Sequence, residues 1–340
     1  MAQSNPRITI LWLSLLAIFG STFLVTSCQF GEQDDWTPEA AALFEPIPAN
    51  APVPEDNPMT EEKIELGHKL FFEPLLSRSR VISCNTCHVV GAAGIDHREV
   101  AMGEMGRTGP RNTPTVYNAA FLAAQFLDGR AATLEEQAVG PIQAHVEMDL
   151  TPSEAMARLD KTGYRPYFEA AFPDASESFT FDNLAKAIAA FERTLITQGS
   201  RFDDYLEGNR DALTAKELQG LELFQANGCA GCHNGVMLGG MTYSKFSHAE
   251  NKGGDDMGRY EVTGRESDQY VFRVAPLRNV ALTYPYFHDG SAETLEDAVK
   301  IMGRSQLGRR FNEEEVDQIV AFLETLTGEF KVVPHPALPR

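Results

Sequence analysis

Tryptophan is nearly missing from this 340-residue chain: there are two, Trp12 and Trp36, and both precede residue 40. No tryptophan of the later body can therefore relay an electron or a hole. Cysteine is scarce as well, with five in all, too few for a scaffold held together by disulfides. Basic residues are outnumbered, 29 Lys and Arg against 48 Asp and Glu, for a net charge of −19. Phosphate neutralisation needs clustered Lys and Arg, so the balance argues against a nucleic acid partner. An acidic body of this kind attracts a basic-faced protein instead. The main apolar run, Ile8 to Gly20, is too short for a comfortable membrane span. What is present is ordinary globular material. Apolar residues make up 43 % and charged residues 23 %, which excludes disordered and fibrous classes, and the length allows two domains.

Residues 1–27 read as an export signal, with Arg7 the only charge before Cys28. The run Leu24-Val25-Thr26-Ser27-Cys28 resembles a bacterial lipobox, in which the cysteine is acylated and becomes the new N-terminus; an ordinary signal peptide is the alternative. A lipid anchor at Cys28 then holds the protein to a membrane, facing the periplasm. Residues 28–57, rich in Pro and Glu, read as a tether.

The other four cysteines form two Cys-x-x-Cys-His motifs, Cys84, Cys87 and His88, then Cys229, Cys232 and His233. Each motif is the attachment signature of c-type haem: two thioethers hold the porphyrin, and the histidine reaches the iron. One such motif alone is also compatible with a redox disulfide or half a zinc site. Two of them, in an exported chain with no spare cysteine, predict two covalently bound haem c groups.

Four blocks recur in the same order. Gly67, Leu70 and Phe71 match Gly220, Leu223 and Phe224 ahead of each motif. Arg111-Asn112 is paired with Arg278-Asn279, and Asp128-Gly129 with Asp289-Gly290. Ala190-Phe191 with Leu195 answers Ala321-Phe322 with Leu326. Apolar residues recur at helical spacing and no strand pattern stands out. The expected fold is mainly α: two cytochrome-c-like haem domains arising from an internal duplication, 58–200 and 201–340.

The repeat makes each half a control for the other. Twelve residues after Gly290 stands Met302, and twelve after Gly129 stands Pro141. A thioether on the second iron raises its potential and closes it, whereas proline cannot ligate and leaves the first iron open. Gln137 and Glu147 flank Pro141. A carboxylate can move a proton between the two oxygens of a bound peroxide, and glutamine can hold the peroxide without shuttling protons. On the residues alone, Met302 reads equally as core filling, Glu147 as a surface charge and Gln137 as an ordinary helix residue.

From about Glu61 to Phe330 the chain resembles the bacterial dihaem cytochrome c peroxidase family. Carriers are Gly109-Pro110-Arg111-Asn112-Thr113-Pro114, Asp128-Gly129-Arg130-Ala131, Glu135-Glu136-Gln137-Ala138-Val139-Gly140-Pro141, Glu147-Met148, Leu277-Arg278-Asn279, Tyr284-Pro285-Tyr286-Phe287-His288-Asp289-Gly290 and Gln306-Leu307-Gly308. The resemblance implies a periplasmic enzyme that reduces hydrogen peroxide to water with two electrons from a small cytochrome c or cupredoxin. It implies His88 as proximal ligand of the peroxidatic haem, Gln137 and Glu147 as distal residues, and His233 and Met302 as ligands of the electron-transfer haem. It also implies a calcium ion held by the Asn112 side chain and the Thr283 and Pro285 carbonyls, and a possible homodimer.

Two departures stand out. Glu104 lies where better-known members carry a histidine that caps the peroxidatic haem, so the first iron is expected open without prior reduction. Glu104, Met102, Met105 and His97 read as solvated loop residues. Leu127 replaces a tryptophan that relatives place between the haems. Losing that bridge while keeping Met302 argues for peroxide removal over a dihaem oxidase acting on a protein or small organic substrate. The remaining rival is a non-catalytic dihaem electron carrier. His68, His145, His248, His288 and His335 show no ligand spacing.

Overall fold

Threonine and asparagine side chains start every long helix. In the computed structural model, which describes residues 38–246, 248 and 255–340, six helices of ten or more residues stand out: α1 Glu61–Phe71, α2 Leu134–Gln143, α3 Phe181–Glu192, α4 Ala215–Ala226, α5 Leu295–Leu307 and α6 Glu313–Glu324. The hydroxyls of Thr60, Thr133, Thr180, Thr214 and Thr294 and the Asn312 carboxamide oxygen each accept the backbone N–H three residues on. Those bonds satisfy donors that a helix start leaves orphaned, and acidic residues in each first turn complement the helix dipole. The export signal and Cys28 lie outside the described residues.

The fold is mainly helical, as expected. Its sheet is one short antiparallel pair, β1 Tyr243–Lys245 and β2 Val271–Arg273, with Tyr243 opposite Arg273. Three-residue strands are too short to leave a period in the sequence.

Two helix crossings organise the interior. A Cβ on Gly67 of α1 would stand 1.8 Å from the Ala187 carbonyl oxygen of α3, and one on Gly220 of α4 would stand 1.9 Å from the Gln318 oxygen of α6. Only glycine allows backbones to approach this closely. The same two hypothetical atoms would lie 2.9 Å from the Cβ of Phe191 and of Phe322, respectively. Around the first crossing Leu66, Leu70, Ile142, Leu184, Ile188 and Phe191 form one core, and around the second Phe202, Phe224, Val316, Ile319 and Phe322 form another.

Each core borrows from the opposite end of the chain, which revises the expected boundaries. The stretch expected as a tether is packed from Pro38 on: Ala40 and Phe44 belong to the second core, and Ile47 and Ala51 pack with Ile196. Buried Arg278 fastens it by donating to the Glu45 carbonyl at 2.9 Å while pairing with Asp203 at 2.7 Å. Conversely Phe330, Val333 and Leu338 pack against the first core, and Lys69 donates to the Ala337 carbonyl at 3.0 Å. Proline spacing suggested a free tether because it conceals the buried apolar residues set between the prolines.

The Arg-Asn pairing of the two halves also needs correction. Asn279 has a left-handed backbone, φ 62°, opens a 3₁₀ turn at Val280–Leu282, and donates its N–H to Leu326 O at 3.1 Å. The residue that does the same in the first half is Asn118, φ 60°, before Ala119–Phe121, with its N–H on Leu195 O at 2.8 Å. Asn112 sits elsewhere.

Candidate functional site

The first Cys-x-x-Cys-His motif forms a short helix, Cys84–Cys87, started by Ser83 in a reciprocal cap with Thr86. His88 follows at its end and is directed inward. Desolvation lowers its pKa, against the pull of the Gly94 and Pro114 carbonyls, and keeps the imidazole neutral, the form that binds a metal, while its buried Nδ1 has no hydrogen-bond partner. Cys84 and Cys87 are free thiols, and burial pushes the Cys87 thiol up to about 11 and that of Cys84 higher still. Neither is poised as a redox thiolate; both suit thioether formation.

One cavity, with about 540 Å³ of empty space, brings most of the expected first-site residues together. Cys84, Cys87 and His88 line it along with Gln137, Pro141 and Glu147. Gln137 and Pro141 are one helical turn apart on α2, so both face the same space. Burial raises the Glu147 carboxyl above the ordinary carboxylate range, against an opposing pull from Arg130. Burial thus favours the protonated form of this carboxyl more than a surface position would, which suits a group that accepts and returns a proton.

The cavity also contains a residue the sequence reading passed over, Glu192 at the end of α3. It is buried, its Oε2 has no partner, and desolvation pushes its carboxyl up to about 8, despite the neighbouring Arg193 charge. The signal lay in the repeat: where the first half has Phe191-Glu192, the second has Phe322-Leu323.

Glu104 is not the solvated residue expected. It is 1 % exposed, and its Oε1 accepts from the Ser79 N–H at 2.8 Å and the Ser79 hydroxyl at 2.7 Å. Burial pushes its carboxyl up, but these bonds, Ser77 and the Arg107 charge outweigh that and hold it below the ordinary range. Its own N–H donates to the Glu147 carbonyl at 2.8 Å, and a Cβ on adjoining Gly103 would meet Glu147 Cα at 2.5 Å. The loop thus leans on the Glu147 backbone, with Glu104 turned to Ser79. Met105, 87 % exposed, and Met102, 40 % exposed, point outward as expected. His97 stacks on Tyr284.

In the second half, His233 is neutral by burial and its Nδ1 bonds the Leu238 carbonyl at 3.1 Å, an arrangement that fixes the ring for a metal on the other nitrogen. Cys229 and Cys232 are free thiols, and burial raises Cys229 to about 11. His233 packs near Phe224 in the second core. Met302, half-buried on α5, packs with Phe246, Phe272 and Leu127, and its neighbour Ile301 borders both groups. Leu127 therefore lies at the seam between the halves, where its carbonyl accepts the Arg273 N–H at 2.7 Å.

Of the expected calcium ligands, Asn112 reaches the second half through its N–H, which donates to the His288 carbonyl at 2.6 Å, while its side-chain nitrogen donates to Arg98 O at 2.7 Å. Thr283 and Pro285 flank Tyr284, and the Tyr284–Pro285 bond is cis.

Two buried histidines, each following a Cys-x-x-Cys pair, the first of them in one cavity with three glutamine or glutamate side chains, suit a cytochrome with two c-type haem sites. The residues fit that cofactor in both places. Comparisons agree and are more specific. The family model for di-haem cytochrome c peroxidase matches residues 61–211. The chain is 48 % identical to cytochrome c551 peroxidase of Pseudomonas aeruginosa over 96 % of each chain, and 45 % identical to that of Nitrosomonas europaea over 100 % of this chain and 96 % of the relative. A solved MauG-like protein associated with microbial copper homeostasis superposes with a TM-score of 0.76 at 32 % identity, covering 86 % of this chain and 95 % of that one. The chain belongs to the di-haem cytochrome c peroxidase family.

Proposed function

We propose that this di-haem cytochrome c peroxidase reduces hydrogen peroxide in the cavity at His88, with Glu147 as the proton-transferring group and Gln137 as the group that holds the substrate. Each turnover takes two electrons and two protons per peroxide and yields two waters. Haem at the two motifs supplies the iron that binds peroxide and the centre that takes electrons from a small cytochrome c or cupredoxin. His88 would hold the first iron, and Pro141, which lines the same cavity, has no group that could ligate it. Glu147 takes the proton from the nearer oxygen and returns it to the farther one, and its raised carboxyl is the observation that carries this reading. Gln137 donates to the substrate through its amide and leaves its charge unchanged.

His233 and Met302 would hold the second haem iron, which would supply the electron-transfer centre. The two halves, one around each haem motif, are descendants of one duplicated unit, a reading supported by the twin glycine crossings and by Asn118 and Asn279. The Asn112 side chain and the Thr283 and Pro285 carbonyls would hold the calcium ion that the resemblance implies, oxygen ligands suiting a hard cation. The protein is periplasmic and anchored by lipid at Cys28. The test of the catalytic assignment is steady-state turnover of hydrogen peroxide by Glu147→Gln. The expected loss is roughly 10² to 10⁴-fold. Turnover near that of the unaltered enzyme removes Glu147 from the mechanism.

A further inference from the structure

Glu192 is the last residue of α3, 6 % exposed, and its Oε2 has no hydrogen-bond partner. A buried carboxyl oxygen left unbonded costs stability, which an apolar side chain of like size would not. The second half shows that packing does not need the acid. Leu323 holds the matching place on α6, buried within the second core. The acid stands in the half whose cavity also holds Glu147 and Gln137.

Its neighbours do little to hold it ionised. Arg193, the next residue, spends its guanidinium on Glu135 of α2 at 2.7 and 3.0 Å, so the two charges that reach Glu192 oppose each other. On α1, which crosses α3, Lys63 turns to the Asn57 and Pro58 oxygens and Lys69 to the Ala337 carbonyl. At the cavity itself stand Cys84, Cys87, His88 and Glu147. The charges of Glu192 and Glu147 both act on the Cys84 thiol, so both carboxyls lie within electrostatic reach of one haem attachment point. Burial outweighs these charges and pushes the Glu192 carboxyl up to about 8.

Peroxide reduction needs protons that Glu147 alone does not supply. When Glu147 moves a proton from the nearer oxygen to the farther one, the first water leaves with both of the peroxide's own protons. The second water takes two electrons from the donor and two protons from the protein side. A neutral carboxylic acid in the cavity can hold one of them. An added electron lowers the charge of the haem by one, which raises the proton affinity of a buried acid beside it, and the bound proton favours the electron in return.

We infer that Glu192 is the proton-loading group of the first site, binding a proton when the haem at Cys84 and Cys87 gains an electron and releasing it into the cavity as the second water forms. The inference rests on a haem at that motif and on peroxide as its substrate. Glu192 acts through its charge and its proton, and no contact with peroxide is assigned to it.

The test uses the full-length protein with both haems attached, unaltered and as Glu192→Gln, Glu192→Leu and Glu147→Gln. Spectroelectrochemical titration at a series of pH values reads the first haem's potential, and infrared difference spectra read any carboxylic C=O band that grows on its reduction. In the unaltered protein the reduction equilibrium should weaken by up to tenfold per pH unit between about pH 6 and 9, about 59 mV for one electron. Glu192→Gln and Glu192→Leu should flatten that slope and lose the C=O band, and Glu147→Gln should keep both. A slope that survives in either Glu192 variant overturns the inference, as does a slope lost in Glu147→Gln instead. If neither Glu192 variant acquires both haems, the unaltered protein decides: proton uptake on one-electron reduction of the first haem, together with the C=O band, sustains the inference, and the absence of either overturns it. No peroxide turnover by the unaltered protein, with the slope intact, would strike down the proposed reaction and not the coupling.

Discussion

Asn118 and Asn279 meet at one hydroxyl. Their side-chain amides, 161 residues apart in sequence, donate to Thr197 Oγ1 at 2.8 and 2.9 Å, and all three residues are buried. Each asparagine also spends its carboxamide oxygen on backbone, Asn118 on Thr197 N–H and Asn279 on Gly328 N–H. The left-handed residues that turn each half toward its last long helix are thus fastened to one another through the residue that links the halves.

Removing that hydroxyl should be costly. Thr197→Val keeps the shape and strands two buried N–H donors, for a loss of about 2–6 kcal/mol by chemical denaturation, since each stranded donor costs roughly 1–3 kcal/mol. Thr197→Ser should restore most of it. Equal stability of the valine variant would show that the amides find other partners.

Two glutamates near the first site titrate in opposite senses. The folded Glu104 carboxyl lies below its unfolded value, so its contribution is present above the ordinary carboxylate range and is lost as pH falls through the folded value. Glu192 lies above, at about 8 against an ordinary 4.5, so its contribution is lost as pH rises across that window. Glu192→Gln should therefore gain stability on the unaltered protein as pH climbs from 5 to 8, by up to about 1.4 kcal/mol per unit. Glu104→Gln should lose stability at neutral pH and converge on the unaltered protein in acid. Parallel stability curves for either variant would contradict its assignment.

Much of the site was legible in the sequence because covalent attachment dictates spacing: two thiols and a histidine must fall within five residues. Pro141, which lines the His88 cavity, was legible by counting from a repeated Asp-Gly. Glu104 was not, because its partner Ser79 lies 25 residues away and only packing brings it there. Residues 38–57 misled for the same reason, Phe44 being buried against Phe202 and Phe224 far along the chain. The Arg-Asn match failed because residue type was compared where backbone conformation was shared: Asn118 follows Tyr117, not arginine. Glu192 was within reach, since its repeat partner Leu323 is apolar.

Replacing Met302 by leucine should abolish the low-spin methionine signature of the second haem in near-infrared and EPR spectra and stop turnover, with both haems still attached. A surviving signature would mean that another residue ligates that iron.

The most direct test of the account is the EPR spectrum of the fully oxidised protein before and after hydrogen peroxide. With Pro141 and His88 lining one cavity and Glu104 held at Ser79, the account predicts a high-spin signal from the first haem that disappears when peroxide is added, beside a low-spin signal from the second. Two low-spin signals indifferent to peroxide would contradict it, placing a ligand from the 102–106 loop on the first iron.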